Sequence, residues 1–220
     1  MTQGVPQPGF KLSGLDPLFH SPVLTFHLPE AARLNPQLLR EIAGIRASDP
    51  GLARSNRNGW HSRDELFQRP EPGLKQLCAM LLGATAEATA RIAPDEDLMP
   101  FGLQYHGWIN VNPPGAFNTP HDHPGWFWSG VYYVATPAPP PGADTSAGAI
   151  EFLDGRTNLL LPDQVDTPCM RSKMLYRPAA GTLLLFPSHL RHWVYPNAAA
   201  SDRVSIAFNV RFTKRAAPAA

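Results

Sequence analysis

Cysteine is nearly absent. Only Cys78 and Cys169 occur, far apart and outside any CxxC pair. That removes a disulfide-stapled scaffold and a cysteine-built zinc site from consideration, and two reduced, buried thiols are expected. Charge is also scarce: Asp, Glu, Lys and Arg make up 17% of the chain and leave a net charge of +1. Such a balance gives no electrostatic reason for nucleic acid or an anionic membrane to be a partner. No apolar run reaches the roughly 18 residues needed to span a bilayer. The opening MTQGVPQPGFKLSG lacks a basic segment leading into an apolar one, so it does not read as a secretion signal. Together these absences predict a cytoplasmic protein.

What is present points to a folded, strand-rich domain. An apolar content of 43% over 220 residues is enough for a substantial core. No internal repeat or shift in composition divides the chain, so a single domain over 1–220 is expected. Proline is about twice as common as usual, with 25 residues. That argues against a helical bundle and for short strands joined by turns.

Helical spacing is confined to the first half. Leu34, Leu38, Leu39, Ile42 and Ile45 recur at three- and four-residue intervals, predicting an amphipathic helix over about 29–46 that Asp49, Pro50 and Gly51 break. A second helix is predicted over about 71–92, with Pro72 in its first turn and Pro94 ending it. Val23–Leu28 reads as an edge strand. Beyond Pro100 the pattern turns to short β-rich segments at 101–111, 129–135, 149–153, 173–177, 181–186, 192–195 and 203–212, separated by Gly, Pro and Asn. Helices followed by a run of strands predict a mainly β (α+β) jelly roll, a cupin-like barrel of double-stranded β-helix type. Residues 1–99 would supply an N-terminal extension and supporting helices, 100–213 the jelly-roll core and 214–220 a flexible tail.

Three of the eight histidines are spaced for chemistry. His121 and His123 flank Asp122, and on an extended chain residues two apart share a face. His192 follows 71 residues later, after Phe186-Pro187-Ser188. A close pair on one strand and a distant histidine on another build a facial metal site with positions left open. His189 lies three residues from His192 and would face the other way. Arg203 opens the strand RVSIAFN and shares its face with Ser205. A guanidinium pointing into an apolar strand is costly unless paired, and a two-pronged grip on a carboxylate would pair it. A salt bridge at the barrel end would do the same.

The segments WINV (Trp108–Val111), NTPHDH (Asn118–His123), SGVYYV (Ser129–Val134), LFPS (Leu185–Ser188), His192 and RVSIAFN (Arg203–Asn209) together resemble a family of 2-oxoglutarate/Fe(II)-dependent oxygenases. The resemblance reaches back to Asn58-Gly59-Trp60 and so covers most of the chain. It implies a double-stranded β-helix, Fe(II) held by His121, His123 and His192, and 2-oxoglutarate held through its distal carboxylate by Arg203 with Ser205. It also implies O2-dependent oxidation of a C–H bond coupled to decarboxylation of 2-oxoglutarate to succinate. One departure stands out: the wider superfamily uses HxD before its distant histidine, and here His123 occupies the carboxylate's place. Asn110, Asn118, Asp122, Ser129, Tyr133 and Glu151 are candidates to support the metal or contact substrate.

Rival readings remain on the residues alone. Gly115 followed by five residues and HxH, then Gly181, Pro187 and His192, fits parts of a cupin signature. The glutamate expected after HxH is missing, with Phe127 and Trp128 in its place, and His189 stands where a glycine is expected. A cupin would be a dioxygenase, isomerase or binding protein without 2-oxoglutarate. Three histidines and a water also suit a zinc hydrolase, with Asp122 or Glu151 as base. A non-enzymatic module would use Trp126, Trp128, Tyr132 and Tyr133 for ligand contact. The substrate, a small molecule or a peptide side chain, would meet loops 112–118, 124–128 and 154–166. A homodimer is the commonest oligomer to expect.

Overall fold

The computed structural model describes residues 14, 19–156, 167 and 171–214. Cys169, most of the predicted 154–166 loop and the tail after Lys214 lie outside the described residues. Among the described residues the strands are β1 (Leu24–His27), β2 (Asn56–Arg57), β3 (Trp60–His61), β4 (Phe101–Asn112), β5 (Phe117–His121), β6 (Trp128–Ala135), β7 (Ile150–Leu153), β8 (Lys173–Tyr176), β9 (Thr182–Pro187), β10 (His192–Val194) and β11 (Arg203–Lys214). Two helices, α1 (Ala31–Ser48) and α2 (Pro72–Ile92), precede β4. The strands form a six-stranded antiparallel sheet, β1-β9-β6-β11-β4-β3, and a five-stranded one, β2-β5-β10-β7-β8. The expected barrel is therefore two antiparallel sheets in a jelly-roll arrangement that, among the described residues, share no strand. β11 runs through Lys214, one residue beyond the predicted core boundary.

The six-stranded sheet is buried on both faces, and strand alternation explains how. On β11, Val204, Ile206, Phe208 and Val210 join the core that includes Leu34, Leu38 and Ile42 of α1 and Leu74, Leu77 and Leu81 of α2. Trp128, Tyr132 and Val134 of β6, with Leu183 and Leu185 of β9, join them there. The intervening residues face the other sheet: Tyr133, Leu184 and Phe186 pack with Ile150, Phe152 and Val194 in a second core. A period of two on each strand thus sends alternate residues to two separate interiors. Polar tips on the helix side are matched across it. Asn35 Nδ2 donates to Val134 O (2.9 Å), Tyr132 Oη donates to Asn35 Oδ1 (2.7 Å), and Trp128 Nε1 donates to Thr89 Oγ1 (2.9 Å). Trp128 and Tyr132 are therefore core residues and not ligand contacts.

Phe208 sits opposite Gly107 on β4 and Gly130 on β6. A Cβ at Gly130 would come 2.3 Å from Phe208 Cε1, and one at Gly107 2.7 Å from Leu66 Cδ2. Glycine at 130 leaves room for the Phe208 ring, and glycine at 107 leaves room for Leu66 and the β11 backbone. Gly130→Ala is expected to destabilise the fold by about 1–3 kcal/mol through overpacking. Phe208→Leu added to it should recover part of that loss, as read from urea unfolding midpoints.

Candidate metal and co-substrate site

His121 ends β5 and His192 begins β10, directly opposite it in the strand pairing. His123 lies two residues beyond the strand, just before the turn at Pro124–Gly125, and its N–H donates to Ser188 O (3.0 Å). Ser188 Oγ donates in turn to Trp126 O, tying the turn after β5 to the end of β9. The two close histidines share a side because they lie two apart on a chain that does not turn until Pro124–Gly125, with Asp122 exposed between them. Ring centroids are 4.5 Å apart for His121–His192, 5.0 Å for His121–His123 and 5.4 Å for His123–His192. One ring nitrogen from each lies within 4.8 Å of the others, a cluster that could hold one metal ion.

Hydrogen bonds set which nitrogen is free. Nδ1 of His121 lies 2.7 Å from Thr119 O, and Nδ1 of His192 lies 2.8 Å from Leu190 O. A carbonyl only accepts, so Nδ1 carries the proton in both and Nε2 keeps its lone pair for a ligand. Burial favours the neutral rings. It lowers the basicity of His121, and it takes His123 and His192 down to about 3, with the neighbouring histidines adding to it. The cluster is thus a set of neutral nitrogen donors, the form a metal needs.

Beside it, Arg203 is 3% exposed. Its Nε donates to Gly148 O (3.1 Å), its Nη1 reaches Ser205 Oγ (3.4 Å), and its Cζ lies 5.1 Å from the centre of the Tyr133 ring. Among the described residues no acidic side chain pairs with it. The anticipated salt bridge at the barrel end is therefore absent there. Asn110 and Tyr133 both stand opposite Ser205 on the neighbouring strands. Asn110 Oδ1, Asn112 Oδ1 and Tyr133 Oη are buried without a partner. A buried guanidinium with no acidic partner among the described residues, in a pocket that also holds the unsatisfied Asn110 Oδ1, fits an anionic, oxygen-rich ligand. Three neutral imidazoles beside it fit a divalent transition metal.

The same face of the sheet carries further polar rows. Ser129 Oγ donates to Asn209 Oδ1 (2.7 Å), and Asn209 Nδ2 donates to His106 Nε2 (2.9 Å). Trp108 stacks on His61 (5.4 Å, 11° between planes) and lies 5.6 Å from His123. Asn112 Nδ2 donates to Asn118 Oδ1 (3.0 Å), whose Nδ2 reaches Ser55 Oγ at 3.4 Å. His121, His123, His192, Arg203, Ser205, Asn110, Asn118, Ser129 and Tyr133 all line one pocket, together with Ser55, Trp108 and Asn209.

Two sequence candidates lie elsewhere. Asp122 is exposed, because the residue between two inward-facing neighbours faces outward. Glu151 lies between Ile150 and Phe152, which point into the inter-sheet core, so it points to the opposite side of its sheet. There its carboxylate accepts from Trp193 Nε1 and Tyr195 Oη, each at 3.0 Å, with Lys173 Nζ 3.6 Å away. His189 is exposed beside Ser21, as its offset from His192 predicts. Ser55, Trp108 and Asn209 were missed as pocket residues. For Trp108 and Asn209 the period-two rule that placed Arg203 with Ser205 carried the signal. Ser55 comes from a loop remote in sequence and left none.

Residues 106–209 match the model of the family described as "Putative 2OG-Fe(II) oxygenase". No protein of curated function matches the sequence. Among solved structures, a Pseudomonas putida prolyl-4-hydroxylase is 20% identical, with a TM-score of 0.55 over 88% of this chain and 93% of its own. A Trichoplax adhaerens prolyl hydroxylase bound to a hypoxia-inducible-factor peptide fragment is 15% identical, with a TM-score of 0.59 over 86% and 83%. The epimerase SnoN in complex with Fe3+, alpha-ketoglutarate and nogalamycin RO is 12% identical, with a TM-score of 0.60 over 87% and 81%. The family match spans 104 of the 220 residues, and the solved structures share the fold of this chain.

The buried histidines predict a pH dependence of stability. Their folded-state basicity lies below the ordinary value of 6.5. Between about 6.5 and 3 the unfolded chain therefore binds more protons than the folded one, and stability falls as pH falls through that window. Metal-free protein should lose up to about 1.4 kcal/mol per pH unit for each such histidine below pH 6. Urea unfolding at successive pH values measures this, and His192→Gln should flatten the slope.

Proposed function

We propose that His121, His123 and His192 hold the iron, that Arg203 with Ser205 holds the distal carboxylate of 2-oxoglutarate, and that the enzyme oxidises a C–H bond of a small molecule or peptide group. The observation that carries this reading is the buried Arg203 guanidinium, which has no acidic partner and stands beside three neutral imidazoles in one pocket. The iron and co-substrate, when bound, supply the oxidising chemistry that yields succinate and an oxidised product. The chain's own part is placement. The carbonyls of Thr119 and Leu190 hold two imidazoles in the ligating tautomer. Arg203 fixes the co-substrate end to end, and Tyr133 Oη and Asn110 Oδ1 offer it further polar contacts. Phe152 and Phe186, packed against His192, keep water from that side of the cluster.

The rivals lack what they need. A zinc hydrolase requires a base at the metal, and no carboxylate is among the residues lining the pocket. A cupin working without 2-oxoglutarate leaves Arg203 unexplained. A substrate of peptide or natural-product type accords with the peptide bound to the Trichoplax enzyme and the nogalamycin bound to SnoN.

Protein prepared without chelator and supplied with Fe(II) should convert 2-oxoglutarate to succinate. Arg203→Ala is expected to raise the Kd for 2-oxoglutarate at least about thirtyfold, since truncating one partner of a buried charge pair costs 2–5 kcal/mol. Metal content should stay unchanged. An unaltered Kd in Arg203→Ala, measured by calorimetry, would falsify the assignment.

A further inference from the structure

Charge balance in the pocket sets a requirement that the co-substrate does not meet. Of the side chains lining the pocket, only His121, His123, His192, Tyr133 and Arg203 are ionisable, and none is a carboxylate. The imidazoles are neutral ligands, and burial keeps the Tyr133 phenol protonated. Asp122 is exposed, Glu151 is engaged on the far side of its sheet, and Asp64, near His106 and His61 but outside the pocket lining, is paired with Arg54 at 3.6 Å. A divalent metal on the three imidazoles plus the Arg203 guanidinium therefore places three positive charges in a largely buried space. The dianion of 2-oxoglutarate cancels two of them. One positive charge is left over, and an uncompensated charge in a low-dielectric interior is costly. An aspartate at position 123 would bring the sum to zero.

A second observation points the same way. Arg211 lies on the face of β11 that carries Arg203, Ser205, Ala207 and Asn209, at the outer end of the row. Its Cζ stands 5.0 Å from the centre of the Trp126 ring, and its Nε donates to Gln104 Oε1 at 2.8 Å. Trp126 stacks in turn on His106 (4.3 Å between centroids), which Asn209 holds. Among the described residues Arg211 has no acidic partner. An exposed cation without an acidic partner among the described residues thus stands at the end of the row that leads to Asn209, and such a charge speeds the arrival of anions.

Resting on the function proposed above, we infer that the site takes a monoanion as its third component: either a substrate carrying one negative charge or a small inorganic anion, seated between the three histidines and the Asn209–His106 row. His123 creates the requirement, and Arg211 guides the anion in.

The test uses the full chain loaded anaerobically with Fe(II) and 2-oxoglutarate. It is titrated with sodium azide, chloride and acetate while metal absorption and retained 2-oxoglutarate are followed. The wild type should bind a monoanion without releasing 2-oxoglutarate, and His123→Asp should bind it at least about tenfold more weakly, because the aspartate supplies the missing charge. Arg211→Gln should slow anion association two- to threefold at low salt, an effect that added salt removes, with affinity for 2-oxoglutarate unchanged. Tighter binding of acetate identifies a carboxylate-bearing substrate as the source, and tighter binding of chloride and azide identifies an inorganic ion. The inference is overturned if no monoanion binds the loaded wild type at millimolar concentration, if the anion displaces 2-oxoglutarate, or if His123→Asp binds it equally well. Should that variant fail to fold or hold metal, the wild-type titration alone decides. Failure of 2-oxoglutarate itself to bind would instead overturn the proposed function, so the two results are distinguishable.

Discussion

The site depends on the register of β11 between β4 and β6. Twelve residues of β11 pair with β4, and that alignment puts Ser205 opposite Asn110 and Asn209 opposite His106. On the other side it puts Ser205 opposite Tyr133 and Asn209 opposite Ser129. A slip of one residue would turn Arg203, Ser205 and Asn209 toward the helices and bring Val204, Ile206 and Phe208 into the pocket. The register is held by the helix-side core, above all by Phe208 between Gly107 and Gly130. Packing on one face of the sheet therefore fixes polar chemistry on the other.

Within the pocket the two sheets have separate tasks. The smaller sheet, with the two residues that continue β5, brings the histidines together, and the larger sheet supplies Arg203 and the polar rows. Burial acts in opposite senses on the two. It favours the uncharged form of the imidazoles, which suits them as ligands. It also leaves a permanent guanidinium charge with no internal partner, which creates the demand for an anion. Because His123 adds no negative charge, that demand is greater than in a site with a carboxylate ligand.

Glu151 shows how alternation separates nearby residues. It pairs across the strands with Trp193, the residue after His192, yet it lies on the outer side of the sheet under Trp193 and Tyr195. Its role is structural: it gives two aromatic donors and Lys173 a common acceptor. Asp122 stands between two pocket histidines and is exposed for the same reason.

Much of this was legible in the sequence, because its signals are local. Helical spacing located both helices, alternation located most of the strands, and the spacing of His121, His123 and His192 with Arg203 and Ser205 marked the site. The short strands β2 and β3 left little trace, since two residues carry no periodicity. Only the His121 end of β5 was read as extended, since Phe117–His121 contains a proline and does not alternate cleanly and its start fell in what read as a loop over 112–118. The tertiary structure decided what depends on contacts between distant segments. It brought Ser55 beside Asn118, joined Ser129, Asn209 and His106 into one hydrogen-bonded row, and sent Glu151 outward. It also left Arg203 without an acidic partner. A sequence can state that a residue is charged and which strand face it shares, but whether an opposite charge waits for it across the sheet is settled only when the strands pair.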